Sequence, residues 1–181
     1  MAPNWRRRMR RGLMYSVMTT LIAGTTFGVR ADEQFGATAA LPRVRSSSPA
    51  LATLLVDASS RSATFAELVR TIERTDGIVY VEHGVCRHGV RACLSLSIAS
   101  GGGFRILRVL VAAATDVFEL MATIGHELRH AIEILTEPAV KTTEQAYLYY
   151  AREAATARGV FETAAAIQTG LAVERDLHRR Q

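Results

Sequence analysis

The sequence predicts an α+β fold: a small antiparallel three-stranded sheet, then a helix that carries the motif HELRH, then two further helices. Three short apolar segments with strand character follow one another across turn-prone connections, which favours antiparallel pairing. Apolar residues then recur at helical spacing around the motif, and the sequence after it is rich in alanine and other helix formers. The helices are therefore expected to be segregated from the sheet within one domain.

The elements before the motif begin with a helix. Its start is predicted by the capping-box spacing of Thr64 and Glu67, and Asp76 and Gly77 end it. The three predicted strands are Ile78–Glu82, Ala92–Ile98 and Phe104–Val111. The turn-prone sequence RHGVR separates the first two strands and SGGG separates the last two, so we expect an antiparallel meander.

The motif helix is expected to begin at Asp116 and to end before Pro138. Apolar side chains cover most of its circumference, which predicts that it is largely buried. The last two helices are predicted over Thr143–Arg158, which Gly159 closes, and over Phe161–His178, where Gly170 is a weak point.

The formal charge of +5 is concentrated at the N-terminus. Residues 1–31 contain six of the 22 basic residues and no acid, so residues 32–181 hold 16 basic against 17 acidic side chains. A body without a basic excess is not expected to bind nucleic acid. The arginines, the uncharged run Gly12–Val29 and the small residues Val29 and Ala31 are typical of a secretory signal peptide.

These patterns define three segments. We expect a signal peptide over residues 1–31, cleaved after Ala31, a flexible lead-in over 32–50 and one folded domain over 51–181. Such a protein would be secreted or periplasmic, free of the membrane after cleavage and monomeric by default. An uncleaved N-terminal membrane anchor is the alternative, because the 18 uncharged residues approach the length that spans a bilayer.

The only two cysteines, Cys86 and Cys93, lie in the part that is expected to be exported, where oxidation permits a disulfide. Free thiols are an open alternative. A structural zinc site is another, because His83 and His88 lie within the same short segment.

The motif HELRH carries the chemistry. Residues four apart lie on one helix face, so His126 and His130 present two imidazoles at one point and Glu127 lies beside them. Two imidazoles and one further protein ligand are what a catalytic Zn²⁺ site requires. The neighbouring carboxylate of Glu127 is then the candidate general base for water that the metal activates.

The third metal ligand has several candidates. They are Glu133, Glu144, Glu153, Glu162 and His178. Glu133 lies on the same helix as the histidines, which suits a hydrogen bond to a ligand histidine better than a bond to the metal. A glutamate from a later helix approaches from another side, so spacing alone leaves Glu144, Glu153 and Glu162 open.

HELRH with a downstream glutamate, after an antiparallel sheet, resembles the gluzincin class of zinc metallopeptidases. The longer pattern is similar to a set of short secreted bacterial proteins with no known activity, and it covers most of residues 51–177. It consists of VYVExGxC, ACL, RxLRV, IGHELRHAIE and FETAAA. The gluzincin resemblance implies a zincin-like domain whose third ligand stands in an ExxA setting. Glu162 fits this setting with Ala165, and Glu153 fits it less well.

The resemblance and the motif together lead to the expected function, a zinc metallopeptidase that hydrolyses peptide bonds with Glu127 as general base. The alternative is a zinc-binding or peptide-binding module without turnover on the same scaffold. A peptide or protein substrate would add to an edge strand, and Phe104–Val111 is the candidate because it precedes the motif helix. Candidates for a hydrogen-bond donor to the reacting carbonyl are Tyr147, Tyr149, Tyr150 and His178.

Overall fold

The computed structural model describes residues 41–112, 116–153, 155–157 and 160–179. These residues form an α+β fold, as predicted. The elements in chain order are β1 (Val44–Arg45), α1 (Pro49–Arg61), α2 (Ala63–Glu73), β2 (Gly77–His83), β3 (Ala92–Gly101), β4 (Phe104–Val111), α3 (Val117–Leu135), α4 (Thr143–Glu153), β5 (Ala155–Ala157), β6 (Val160–Glu162) and α5 (Ala164–His178). The predicted signal peptide and its cleavage site lie outside the described residues.

The main sheet has four strands in the order β1-β2-β4-β3 and is mixed. Strand β2 pairs in parallel with β1 and β4, and only β3 and β4 pair antiparallel. The predicted three-stranded antiparallel meander is therefore wrong, although all three predicted strands exist. Strand β4 lies between β2 and β3 because its apolar residues Leu107, Val109 and Val111 are fully buried, whereas β3 carries serines that suit an edge.

The folded part begins earlier than the predicted start at Leu51. Strand β1 extends the sheet beside β2, and helix α1 begins at Pro49 with Ser48 as its N-cap. Proline at the first helical position is favourable because its missing N–H would have no partner there. The next helix is capped by Ser62, whose hydroxyl accepts the Phe65 amide at 3.0 Å, and the predicted Thr64 cap lies one residue inside the helix.

Helix α3, which carries HELRH, begins as predicted. The carboxylate of Asp116 accepts hydrogen bonds from the amides of Phe118 and Glu119. At the other end the buried guanidinium of Arg105 binds Asp76 and also donates to four carbonyl groups, those of Ile134, Leu135, Glu137 and Val140. These bonds hold the end of α3 and the turn after it against β4, in addition to the backbone bonds that the carbonyl groups of Ile134 and Glu137 accept.

The chain after α3 differs most from the prediction. Helix α4 stops at Glu153 and is followed by the short antiparallel pair β5 and β6, so the predicted helix Thr143–Arg158 is too long. The last helix begins at Ala164 with Thr163 as its N-cap, not at Phe161. The alanines predicted helix through this region, but tertiary packing overrides such weak propensities.

The core lies where α3 contacts strands β3 and β4 and helices α2 and α5. Met121, Ile124 and Leu128 of α3 have no exposed surface, which confirms the predicted burial of this helix. Among the described residues, no helix combines the length and apolarity needed to cross a bilayer.

Cys86 and Cys93 form a disulfide, with their Cα atoms 5.9 Å apart. The alternatives of free thiols and of a structural zinc site with His83 and His88 are therefore wrong, because both sulfurs are consumed in the bond. The disulfide closes the loop that leads into β3.

Candidate metal centre

Three predicted ligands meet in one place. His126, His130 and Glu162 each offer a ligand atom, and these atoms all lie within 4.8 Å of one another. Oε2 of Glu162 is 3.1 Å from Nε2 of His126 and 3.9 Å from Nε2 of His130. This group could hold a metal ion, as the sequence predicted from the motif and from FETAAA.

The three side chains come from two parts of the chain. One turn of α3 supplies both histidines, and Glu162 ends β6, immediately before α5. The helices α3 and α5 approach closely at two glycines. A Cβ at Gly170 would lie 3.3 Å from the Cβ of His126, and one at Gly125 would lie 2.8 Å from Cγ2 of Val173. Gly170 is therefore a contact point beside a ligand histidine, in addition to being a weak helix former.

The rival third ligands are not brought to the histidines. Glu153 is exposed near the end of α4 and pairs with Arg152 at 2.7 Å. Glu144 is exposed in the first turn of α4. His178 lies at the end of α5, where its ring packs edge-on against Phe118. Glu162 alone of the candidates from later elements contributes to the group, and it does so from a strand instead of a helix.

Glu133 orients the site, as its position on the motif helix predicted. Its Oε2 lies 3.0 Å from Nδ1 of His130, and its Oε1 accepts the Thr163 hydroxyl at 2.8 Å. When Nδ1 of a histidine donates to a carboxylate, the other ring nitrogen is free to bind a metal. The Thr163 hydroxyl also caps the N-terminus of α5. The same hydroxyl group therefore connects the start of α5, directly after Glu162, to the carboxylate of Glu133, which contacts His130.

The electrostatics of the group depend on burial and on paired charges. Burial lowers the pKa of His126. Burial also opposes a charge on His130, but the carboxylates of Glu133 and Glu162 outweigh it and raise the pKa of this residue to about 9. The contact with His130 in turn lowers the pKa of Glu162. The carboxylates therefore stabilise a positive charge at the position where the ligand atoms converge.

Glu127 is the buried acid beside this group. Its side chain is 7% exposed, and its Oε2 accepts a 2.7 Å hydrogen bond from the backbone amide of Leu94 in β3. Burial raises the pKa of Glu127 to about 7. A carboxyl group with a pKa near neutrality can both accept and release a proton at physiological pH.

The donor set fits a divalent metal. Oε2 of Glu162 is shielded from solvent, and no geometrically acceptable hydrogen bond to it exists among the described residues. A buried carboxylate oxygen without a well-formed hydrogen bond is costly, and a cation at this point would satisfy it. Two imidazole nitrogens with one carboxylate oxygen are also a ligand set of catalytic zinc sites.

A cleft of about 530 Å³ opens next to the candidate metal ligands. Its lining includes His126, Glu127 and Glu162, together with residues from the start of β3, from α3 and from α5. The predicted substrate strand Phe104–Val111 is β4, which lies inside the sheet, so that expectation is wrong. The edge strand on this side is β3, which also contacts Glu127 through Leu94.

The tyrosines of α4 do not share one role. The Tyr150 hydroxyl is buried and donates to the carbonyl oxygen of His130 at 2.8 Å, so it supports α3 and is not free to contact a substrate. Tyr147 is 55% exposed and its ring packs against Phe161. Tyr149 packs edge-on against Tyr150.

Sequence reasoning missed Leu94, Thr163 and Arg105. Leu94 contributes through its backbone, which leaves no signal in residue type. Thr163 had one, because a threonine before a run of alanines is typical of a helix N-cap. Arg105 was a second available signal, because a charged residue within a mostly apolar strand requires partners if it is buried.

Comparisons of this chain with protein-family models, curated proteins and solved structures found no match. The site therefore has to be interpreted from its own geometry.

Proposed function

We propose that this protein is a zinc-dependent metallopeptidase of the gluzincin type. The observation that carries the proposal is the position of the buried carboxyl group of Glu127 next to the His126, His130 and Glu162 group, in the lining of an open cleft. His126, His130 and Glu162 would hold Zn²⁺, and Glu133 would orient His130. A zinc ion with such ligands supplies Lewis acidity, which polarises a carbonyl group and makes water a better nucleophile at neutral pH.

The chain's own residues perform the proton transfers. Glu127 accepts a proton as the water oxygen attacks the carbonyl carbon of the peptide bond. The same proton then passes to the amide nitrogen, the C–N bond breaks, and the products are a carboxylic acid and an amine. A carboxyl group with a pKa of about 7 suits both steps, because it changes its protonation state at little cost near neutral pH.

The substrate is proposed to be an extended peptide that pairs with β3. Among the described strands β3 has one partner, β4, so its other edge can form main-chain hydrogen bonds apart from the Leu94 amide, which Glu127 accepts. The register of β3 and β4 shifts between Ser95 and Ala99, whereas the segment from Ala92 to Ser95 pairs regularly with β4. The regular segment is the one beside Glu127 and the cleft, so we place the peptide there.

We propose an exported location, secreted or periplasmic, with the signal peptide over residues 1–31. The disulfide between Cys86 and Cys93 supports an oxidising compartment, because such bonds rarely persist in the cytosol. Mass spectrometry of protein recovered from outside the cytoplasm tests this proposal. A mature N-terminus after Ala31 would support it, and an intact residue 1 would contradict it in favour of an N-terminal anchor.

The activity is tested with purified protein, Zn²⁺ and a mixture of unfolded proteins, with cleavage followed by mass spectrometry. Wild type and Glu153→Gln are expected to cleave, because Glu153 is exposed and distant from the group. Glu127→Gln is expected to bind zinc equally but to lose about 10²–10⁴-fold in rate, the usual contribution of a general base. Undiminished cleavage by Glu127→Gln would reject the proposal.

A module that binds zinc or peptide without turnover is the second candidate. One observation favours it: the described residues from 41 onwards form one compact unit, and among them no second lobe faces the cleft. Stoichiometric zinc with no cleavage by wild type, under conditions where peptides bind, would favour this candidate.

A further inference from the structure

We propose that the cleft beside the metal centre selects a lysine or arginine side chain of the peptide, and that Glu174 is the residue that recognises its charge. The inference rests on the proposed function, because it names the substrate class of that same site.

Two helix faces form most of the cleft. Helix α3 contributes Glu119, Ala122, Thr123 and His126, and α5 contributes Ile167, Gly170, Leu171 and Glu174. Each set has the spacing i, i+3, i+4, i+7, which is one continuous face of a helix. The faces meet where a Cβ at Gly170 would lie 3.3 Å from the Cβ of His126, so His126 lies beside the middle of the α5 face. Glu174 follows Gly170 by one turn, which corresponds to about 6 Å of helix.

The α5 wall of the cleft is apolar at Ile167 and Leu171 and remains partly open. Ile167 is 44% exposed and Leu171 is 43% exposed, although both line a concave surface. Val90, just before β3, and Ala92, its first residue, also line the cleft. A long aliphatic side chain would cover these surfaces, and the burial of apolar area favours binding.

Charge then distinguishes among long side chains. The lining carries one basic residue, Arg91, and it is already paired with Glu119. Glu174 is exposed and has no hydrogen bond or ion pair with another residue in the described part of the chain. Lysine and arginine combine an apolar stem with a cationic end, so they match an apolar wall that ends in an unpaired carboxylate.

The experiment uses peptides that differ at one position, which is lysine, norleucine or glutamate, placed in turn on each side of the susceptible bond. Norleucine has the aliphatic stem of lysine without its charge, so comparing the lysine and norleucine peptides isolates the electrostatic contribution to recognition. Zinc-loaded wild type is compared with Glu174→Gln and with Glu153→Gln, the matched loss of an exposed carboxylate outside the cleft. Cleavage rates are measured with wild type and these two variants. Peptide binding is measured by fluorescence anisotropy, with the zinc-loaded Glu127→Gln protein and with the zinc-loaded double variant Glu127→Gln, Glu174→Gln.

Wild type and Glu153→Gln are expected to prefer lysine over norleucine by about fivefold, the scale of one exposed ion pair, and glutamate is expected to be poorest. Glu174→Gln should remove the preference, so that the lysine and norleucine peptides are cleaved at similar rates. A lysine preference that persists in Glu174→Gln, or a preference for glutamate, would overturn the inference. Absence of cleavage for every peptide would contradict the proposed peptidase, while Glu174-dependent binding of the lysine peptide would still support the selectivity of the cleft.

Discussion

The backbone amide of Leu94 donates a 2.7 Å hydrogen bond to Oε2 of Glu127, although the two residues belong to different elements and are 33 positions apart. This bond fixes the carboxyl group of the motif helix against the edge strand of the sheet. The proposed general base and the proposed peptide-binding strand are therefore held at a set distance. Leu94 follows Cys93 directly, so the disulfide anchors the same point of β3.

The disulfide is expected to stabilise the fold and the wall of the cleft. Replacing both Cys86 and Cys93 with serine should lower the free energy of unfolding by about 2.5 kcal/mol, the loop-entropy estimate for a closed loop of about eight residues. Chemical denaturation of wild type with and without a reductant measures the effect. The double variant is its own control, since the reductant should not change its midpoint. An unchanged wild-type midpoint after full reduction would contradict the prediction.

Glu162 is expected to determine metal affinity, whereas Glu153 is not. Mutation of a residue that only hydrogen-bonds to a metal ligand typically lowers metal affinity by about 10–100-fold. Glu162→Gln should lower Zn²⁺ affinity by more than this, because it removes a ligand. Glu153→Gln removes a carboxylate of similar exposure that pairs only with Arg152 among the described residues, and it should bind zinc like wild type. Competition with a chromophoric chelator gives both affinities. Equal affinity of the two variants would remove Glu162 from the site.

Glu133 is expected to act through His130. Glu133→Gln keeps the shape of the side chain but removes the charge that holds Nδ1 of His130, so zinc affinity should fall by about 10–100-fold. Loss of the Thr163 hydroxyl in Thr163→Val should have a smaller effect, because Glu133 keeps its contact with His130. Titration calorimetry measures both, and circular dichroism confirms that the variants fold. A larger loss in Thr163→Val than in Glu133→Gln would contradict this order.

Asp76 is expected to make stability depend on pH. Its hydrogen bonds from Arg105 hold the pKa of Asp76 below the ordinary value of its carboxyl group. The contribution of Asp76 to the free energy of unfolding is therefore fully present above the unfolded-state pKa of about 3.9. It is lost as pH falls through the lower folded-state pKa. Asp76→Asn should unfold more easily than wild type at pH 7, and the difference should shrink below about pH 4.

Urea unfolding at a series of pH values measures this effect. Asp57→Asn is the control. Asp57 forms an ion pair with Arg61 on the surface of α1, and an ion pair between exposed side chains contributes little to stability. A constant difference between wild type and Asp76→Asn from pH 7 to pH 3 would contradict the assignment.

Local signals predicted individual elements well. The cap at Asp116 and the helical spacing of apolar residues predicted α3, and the three apolar segments predicted β2, β3 and β4. Strand order was not predictable from the same signals, because the insertion of β4 between β2 and β3 depends on which strand buries most apolar surface in the finished fold. The segment after Glu153 was also misjudged, since alanine favours a helix only weakly and packing decided otherwise.

The sequence by itself determined that His126, Glu127 and His130 lie together, because their spacing within one helix sets their relative positions through local hydrogen bonds alone. It also placed Glu133 beside His130 for the same reason. Only the tertiary structure decided that Glu162, and neither Glu144 nor Glu153, completes the group, and that β3 is the strand at the cleft. These choices depend on the close approach of α3 and α5 and on strand order, which arise from packing between residues far apart in the chain.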